Sequence, residues 1–145
     1  MHSNGGFLIT KVKQLGDRIF EKVLSAQGID AFNGAQGRIL YVLWQQDGIP
    51  IKAVSDACGL AITSLTSMLE RMERQGLILR KPDSQDKRKT LLYLTDKARA
   101  LQKDYDAVSL QMGDLYYRGF SEQEVRQFEE YLQRIQQNLE ENLKS

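Results

Sequence analysis

Apolar residues recur at steps of three and four along most of the chain, beginning with Leu8, Val12 and Leu15. This spacing is typical of amphipathic α-helices, whose apolar stripe faces a core. Glycines and polar capping residues separate the apolar runs. The pattern predicts helices over residues 7–27, 34–46, 50–57, 61–75 and 96–118, and a last helix that begins after Ser121. We therefore expect a mainly α fold.

The apolar period changes to that of β-strands in two short segments, residues 77–81 and 90–94. Between them, residues 82–86 (Pro-Asp-Ser-Gln-Asp) have the composition of a turn. The next three residues are a basic cluster, Lys87, Arg88 and Lys89. These segments predict a small β-hairpin with a charged tip.

The short helix 50–57, the turn at Gly59 and the helix 61–75 have the order of a helix-turn-helix. If the apolar side chains of the second helix face inward, 3.6 residues per turn place its polar side chains outward or on the flanks. Small hydroxyl side chains can approach base edges in a major groove, and arginines can reach a phosphate or a guanine. The candidate DNA contacts are Thr63, Ser64, Thr66, Ser67, Arg71 and Arg74. The alternative is an ordinary solvated helix face.

The basic tip of the hairpin has two interpretations. Lys87, Arg88 and Lys89 can carry positive charge into a minor groove, as a wing does. Alternatively, charged tips keep the edges of a sheet from aggregating. Because the hairpin directly follows a helix-turn-helix, the sequence favours the wing.

The run from Ile51 to Ala98 resembles the MarR family of multiple antibiotic resistance regulators. The residues that carry the resemblance are the run 60–78, then Arg80, then Asp83-Ser84-Gln85-Asp86-Lys87-Arg88, then Leu94-Thr95. The chain departs from the family pattern at Ser84, where proline is usual, and at Lys87, where the first wing arginine is usual. Lysine keeps the charge but lacks the planar guanidinium fork.

The resemblance implies a fold, a mode of DNA binding and a mode of regulation. Residues 1–145 would form a single domain, in which a winged helix-turn-helix of residues 34–98 is flanked by dimerisation helices, 7–27 and 96–144. A homodimer would bind an inverted-repeat operator in double-stranded DNA. Arg88 would make the main minor-groove contact, with Asp86 as its orienting partner. Repression would be relieved by a small aromatic or amphipathic effector.

Charge is unevenly distributed, although the net charge is only +1. Residues 61–100 contain nine basic and five acidic side chains, a net charge of +4, whereas residues 101–145 contain five basic and nine acidic side chains, a net charge of −4. A basic middle segment is typical of one face that meets a polyanion. The acidic end fits dimerisation helices that lie away from DNA.

Composition argues against most enzyme classes. The chain has one cysteine, Cys58, and one histidine, His2. A catalytic triad or a zinc site needs an internal histidine or several thiolates. We therefore expect no enzymatic activity, no metal and no cofactor. Some members of the family sense oxidants through a cysteine in the first helix, which this chain lacks, and a redox role of Cys58 stays open.

No apolar run approaches 18 residues, and the polar N-terminus does not resemble a signal peptide. We therefore expect a cytoplasmic protein without a membrane partner. Three alternatives to a regulator remain: a winged-helix module that binds only proteins, an architectural DNA binder without sequence preference, and a small enzyme that uses carboxylates or tyrosines.

Overall fold

The computed structural model describes residues 1–144. It confirms a mainly α fold with a small antiparallel sheet. The helices are α1 (Gly5–Ala26), α2 (Gly34–Gln45), α3 (Ile51–Cys58), α4 (Ile62–Arg74), α5 (Asp96–Ala100), α6 (Gln102–Tyr116) and α7 (Glu122–Leu143). The strands are β1 (Ile49–Pro50), β2 (Ile78–Pro82) and β3 (Thr90–Leu94).

The chain divides into two compact units, Met1–Ser109 and Leu110–Ser145. The first unit contains α1 to α5, the sheet and the beginning of α6. The second contains the end of α6 and α7. The packed side chains of each unit are described separately below.

The core of the first unit is built around α2, whose apolar residues face several neighbours at once. Its side chains Ile39, Leu40 and Leu43 are at most 1% exposed. The other large side chains that are fully buried come from α3, α4, the residue before β2, the sheet and α6: Val54, Leu65, Leu69, Met72, Leu77, Ile78, Leu92 and Val108. Burial of this apolar surface is the main force that holds the helix-turn-helix and the sheet together.

In the second unit, Tyr117 lies between the end of α6 and the first turns of α7. Its hydroxyl donates a hydrogen bond to Glu129 (2.8 Å), and its ring makes edge contacts with Phe120 and Phe128. Partial burial, together with that hydrogen bond, raises the pKa of Tyr117 to about 12. Tyr117 therefore stays neutral and acts as a packing residue with one polar bond.

The sheet has a strand that the sequence did not predict. Strands β2 and β3 form the expected hairpin, with Ile78 opposite Leu94, and β1 pairs with the other edge of β3. The sequence predicted Pro50 as the first residue of a helix, whereas it lies in β1 with extended backbone and is the N-cap of α3. A strand of two residues is too short to show an alternating pattern, which explains the omission.

The prediction of one continuous helix over residues 96–118 is wrong. The structure has two helices there, α5 and α6, which are separated at Leu101. The indole Nε1 of Trp44 donates to the carbonyl oxygen of Ala98 (3.1 Å), and the amide of Leu101 donates to the same oxygen (3.1 Å). The Leu101 bond spans three residues, as in a 3₁₀ turn, rather than the four of an α-helix. A tertiary contact from α2 thus accounts for a break that the local sequence does not signal.

The predicted capping boxes are confirmed. Asn33 and Gln36 exchange hydrogen bonds at the start of α2, and Ser121 and Glu124 do so at the start of α7. By contrast, the N-cap residue of α4 is Ala61, whose methyl side chain cannot accept a hydrogen bond. The first amides of α4 therefore have no side-chain acceptor from the N-cap residue.

We expect Ala61→Ser to raise the free energy of unfolding by about 1 kcal/mol, because a serine hydroxyl can accept from the uncapped amides of α4. The backbone of Ala61 is already extended, as an N-cap requires. Urea denaturation monitored by circular dichroism measures the change. The matched control is Ala57→Ser, the same substitution at an exposed position within α3, which should be neutral or slightly destabilising. Equal effects at the two positions would contradict the capping argument.

Candidate nucleic-acid interface

The two faces of α4 differ sharply in burial. Leu65, Leu69 and Met72 have no exposed surface. The exposed residues of the opposite side include Glu70 and the candidate contacts that the sequence placed outward or on the flanks, Thr63, Ser64, Ser67, Arg71 and Arg74. The structure thus presents three hydroxyl side chains near the N-terminal end of α4 and two guanidinium groups near its C-terminal end. We call this set the outward face of α4.

Thr66 differs from the rest of the predicted set. Its side chain is half-buried, and its hydroxyl donates to the carbonyl oxygen of Ile62 (2.8 Å). The proton of this hydroxyl is therefore occupied within the helix, and only its lone pairs are available to a ligand. Thr66 is less suited to reading bases than its neighbours Thr63 and Ser67.

The turn between α3 and α4 is fixed by local hydrogen bonds. Gly59 has a φ of +69°, a conformation that side chains with a Cβ rarely adopt. The hydroxyl of Ser55 donates to the carbonyl oxygen of Leu60 (2.6 Å), and the amide of Leu60 donates to the carbonyl oxygen of Ser55 (3.3 Å). These bonds hold the start of α4 to the last turn of α3.

The C-terminal end of α4 is held as well. Gly76 has a φ of +75° and ends the helix as the sequence predicted. The hydroxyl of Thr95 donates to the carbonyl oxygen of Gly76 (2.7 Å), and Nζ of Lys97 donates to that of Gln75 (2.9 Å). The first residues after β3 thereby supply partners to carbonyls that a helix end leaves free. The hydrogen bonds of Thr95 and Lys97 therefore connect the end of the wing to the end of α4.

The tip of the hairpin is ordered by its own backbone. The amide of Asp83 donates to the carbonyl oxygen of Lys89 (3.0 Å), and the amide of Lys89 donates to that of Asp86 (2.9 Å). Lys87, Arg88 and Lys89 all expose their side chains to solvent. The basic cluster therefore projects from a closed turn.

Arg88 and Asp86 form a two-point ion pair. The Nε atom of Arg88 lies 3.1 Å from Oδ1 of Asp86, and its Nη2 lies 3.4 Å from Oδ2. The side chain of Arg88 is 91% exposed and that of Asp86 is 30% exposed. The side-chain and backbone hydrogen bonds from Arg88 lower the pKa of Asp86, which keeps its carboxylate charged. A pair this exposed adds little stability, but its geometry restricts where the guanidinium points.

Asp47, which no sequence pattern singled out, anchors the base of the sheet. Its Oδ2 atom accepts the amide of Leu94 (3.0 Å) and pairs with Nη2 of Arg99 (2.7 Å). In the sequence, Asp47 precedes a glycine at the end of α2 and is indistinguishable from any other turn aspartate. Its partners lie 47 and 52 residues away, so no local pattern could have identified it.

No group of three or more histidine, cysteine or acidic side chains in residues 1–144 is arranged to hold a metal ion. Cys58 is half-buried, and its Sγ donates to the carbonyl oxygen of Arg38 (3.6 Å). Burial raises the pKa of the Cys58 thiol. Within the same residues, no helix is both long enough and apolar enough to span a bilayer.

The proteins that this chain resembles are transcriptional regulators. Residues 32–90 match the MarR family. The transcriptional regulator TtmR of Methylorubrum extorquens is 32% identical over 77 residues, which are 53% of this chain and 40% of that protein. The match to this relative thus spans less than half of its length.

Two solved structures cover almost the whole chain. A mutant of MarR from E. coli complexed with operator DNA matches with a TM-score of 0.80 and 26% identity, over 90% of this chain and 91% of that chain. CouR from Rhodococcus jostii, bound to p-coumaroyl-CoA, matches with a TM-score of 0.78 and 25% identity, over 92% of each chain. These structures confirm the winged helix-turn-helix. The similar proteins are transcriptional regulators and not enzymes.

We expect native Cys58 to react with iodoacetamide several-fold more slowly at pH 8 than the same thiol in the urea-unfolded chain. A raised pKa leaves less thiolate at that pH, and thiolate is the nucleophile. Because the chain has one cysteine, mass spectrometry of the intact protein follows this residue alone. A native rate at or above the unfolded rate would contradict a raised pKa of the Cys58 thiol in the folded chain.

Proposed function

We propose that the chain is a MarR-family transcriptional repressor that binds an inverted-repeat operator as a homodimer. The observation that carries the proposal is the outward face of α4. Its hydroxyl and guanidinium side chains are exposed on a helix whose opposite face is completely buried. A helix of this kind fits a major groove with its N-terminal residues toward the base edges.

Thr63, Ser64 and Ser67 are the residues to which we assign base contacts. They are short, exposed and close to the start of α4, so the backbone can approach the bases. Arg71 and Arg74 lie one and two turns further along and reach phosphates or a guanine. Thr66 is assigned a supporting place, because its hydroxyl proton is already used.

The wing supplies the second contact. Arg88 enters the minor groove, where the negative potential is strongest, and Asp86 holds its guanidinium in one orientation before DNA arrives. Preorganisation of this kind reduces the side-chain entropy lost on binding. Lys87 and Lys89 add charge that neutralises neighbouring phosphates.

The two terminal helices supply the dimer interface. In α1 the exposed apolar side chains are Phe7, Leu8, Ile9, Val12, Leu15 and Ile19. In α7 they are Phe128, Tyr131, Leu132, Ile135, Leu139 and Leu143. Soluble monomers rarely expose apolar stripes of this length, so each stripe is expected to be covered by a second copy of the chain. Two-fold symmetry then places two copies of α4 one DNA turn apart, about 34–36 Å.

The repressor is released from DNA by a small aromatic or amphipathic effector. The support for this part of the proposal is CouR, which was solved with p-coumaroyl-CoA bound. An effector shifts the balance between two dimer shapes only by the difference in its affinity for them. The shape it favours is one in which the spacing of the two α4 helices no longer matches the operator.

We expect Arg88→Ala to weaken binding to all duplexes alike, because a minor-groove contact carries little sequence information. The slope of log K against log salt should become shallower by about one unit, as for the loss of one cationic contact. Fluorescence anisotropy titrations at several salt concentrations measure both effects. The matched control is Arg126→Ala, which removes an exposed arginine from α7 and should leave the slope unchanged. An unaltered slope for Arg88→Ala would remove Arg88 from the interface.

We expect Leu139→Asp to convert the dimer to a monomer in analytical ultracentrifugation. The leucine is 63% exposed in the single chain, so a charge there should disturb the dimer and not the fold. Asn138→Asp is the control, because it places the same carboxylate at the adjacent, polar position of α7. The proposed interface is wrong if Leu139→Asp sediments as a dimer, or if the wild-type chain is already a monomer.

A further inference from the structure

Gln36 is a buried polar residue whose side chain does two things. It is 3% exposed, in the first turn of α2. Its Oε1 atom accepts the amide of Asn33 (3.1 Å), which completes the capping box. Its Nε2 atom donates to Oε1 of Gln75 (3.2 Å), the C-cap residue of α4. One amide group therefore links the start of α2 to the end of the helix that carries the outward face.

The capping box at Asn33 does not require the hydrogen bond from Gln36 to Gln75. A glutamate at position 36 would complete a capping box equally well, because only an acceptor is required. A glutamine adds a donor, and this donor is directed at Gln75. The side chain of Gln75 thus bonds back to α2, although Gln75 itself is exposed to solvent.

The space beside this bond is open. Gln36 and Gln75 line a cavity of about 450 Å³ together with Arg71 and, from α1, Glu21 and Ser25. On this side the end of α4 is therefore not held by close packing. The apolar contacts of α4 are strong but not directional, whereas a hydrogen bond selects one orientation.

We propose that the Gln36–Gln75 hydrogen bond positions α4, and that Gln75 is a specificity-determining residue without a contact to DNA of its own. The bond fixes the angle at which α4 leaves the core, and a rigid helix transmits that angle to Thr63, Ser64 and Ser67 at its other end. Base contacts depend on this angle, whereas phosphate contacts by flexible cations tolerate its change. The inference rests on the proposed function, because it concerns how the same surface selects a sequence.

The test compares Gln75→Met with Gln75→Glu. Methionine has a similar length but cannot accept the bond, and glutamate retains an acceptor for Nε2 of Gln36. Both changes lie at an exposed position and leave the capping box intact. The readout is the ratio of affinities, at fixed salt, for the duplex that the wild-type chain enriches from a random pool and for a scrambled duplex. An added charge lowers both affinities together, so the ratio isolates the effect of positioning.

We expect Gln75→Met to lower this ratio about fivefold, the effect of one ordinary hydrogen bond, with the salt slope unchanged. Gln75→Glu should keep the wild-type ratio. The double variant Gln36→Glu with Gln75→Glu should lose the wild-type ratio, because two carboxylates leave no donor for a hydrogen bond between them. Gln36→Glu alone should keep the wild-type ratio, because the Gln75 amide can rotate and donate to the new carboxylate.

Two results would overturn the inference, and they are distinguishable. If Gln75→Met keeps the wild-type ratio while only its melting temperature falls, the bond has a structural role alone and the proposed function stands. If the wild-type chain itself prefers no duplex over a scrambled one, the proposed function fails and the inference fails with it.

Discussion

The complete burial of one face of α4 is the constraint on which the rest of the structure depends. Leu65, Leu69 and Met72 are fully enclosed, so the helix cannot turn about its axis without exposing apolar surface. At roughly 25 cal/mol for each Å² of apolar area, the penalty for such a rotation amounts to several kcal/mol. The identity of the outward side chains therefore follows from the packing of the inward ones.

Apolar packing fixes the rotation of α4, and polar bonds fix its ends. Ser55 stabilises the turn before it, and Lys97, in the segment that follows the wing, donates to the carbonyl oxygen of the C-cap residue Gln75. Asp47 joins the end of α2 to both β3 and α5 through Leu94 and Arg99. Because the wing is attached to the same core as α4, the two proposed DNA contacts of one subunit are held in a fixed relation. A major-groove contact and a minor-groove contact can then be made together with little further loss of entropy.

The sequence predicted the features that depend on local pattern. The apolar spacing of α4, the capping boxes at Asn33 and Ser121, and the change of period in the hairpin each occupy a few consecutive residues. All of them are present in the structure. The outward orientation of Ser67 and its neighbours followed from helix geometry alone.

The sequence could not predict features that depend on partners far along the chain. Helix 96–118 is divided because Trp44 bonds to a carbonyl 54 residues away, and Gln36 meets Gln75 across 39 residues. The pair Asp86–Arg88 shows the opposite case. Its two members are separated by one residue, so spacing and resemblance were sufficient to suggest the contact that the structure contains.

The most direct test of the account is selection of binding sites by the wild-type chain from a pool of randomised duplexes. We expect enrichment of an inverted repeat whose half-sites are one helical turn apart, bound by two chains per duplex and with an affinity that falls steeply with salt. Binding without enrichment of any sequence would contradict a specific operator and indicate an architectural DNA binder. Failure to bind any duplex at low salt would contradict the central claim that the outward face of α4 and the wing form a DNA-binding surface.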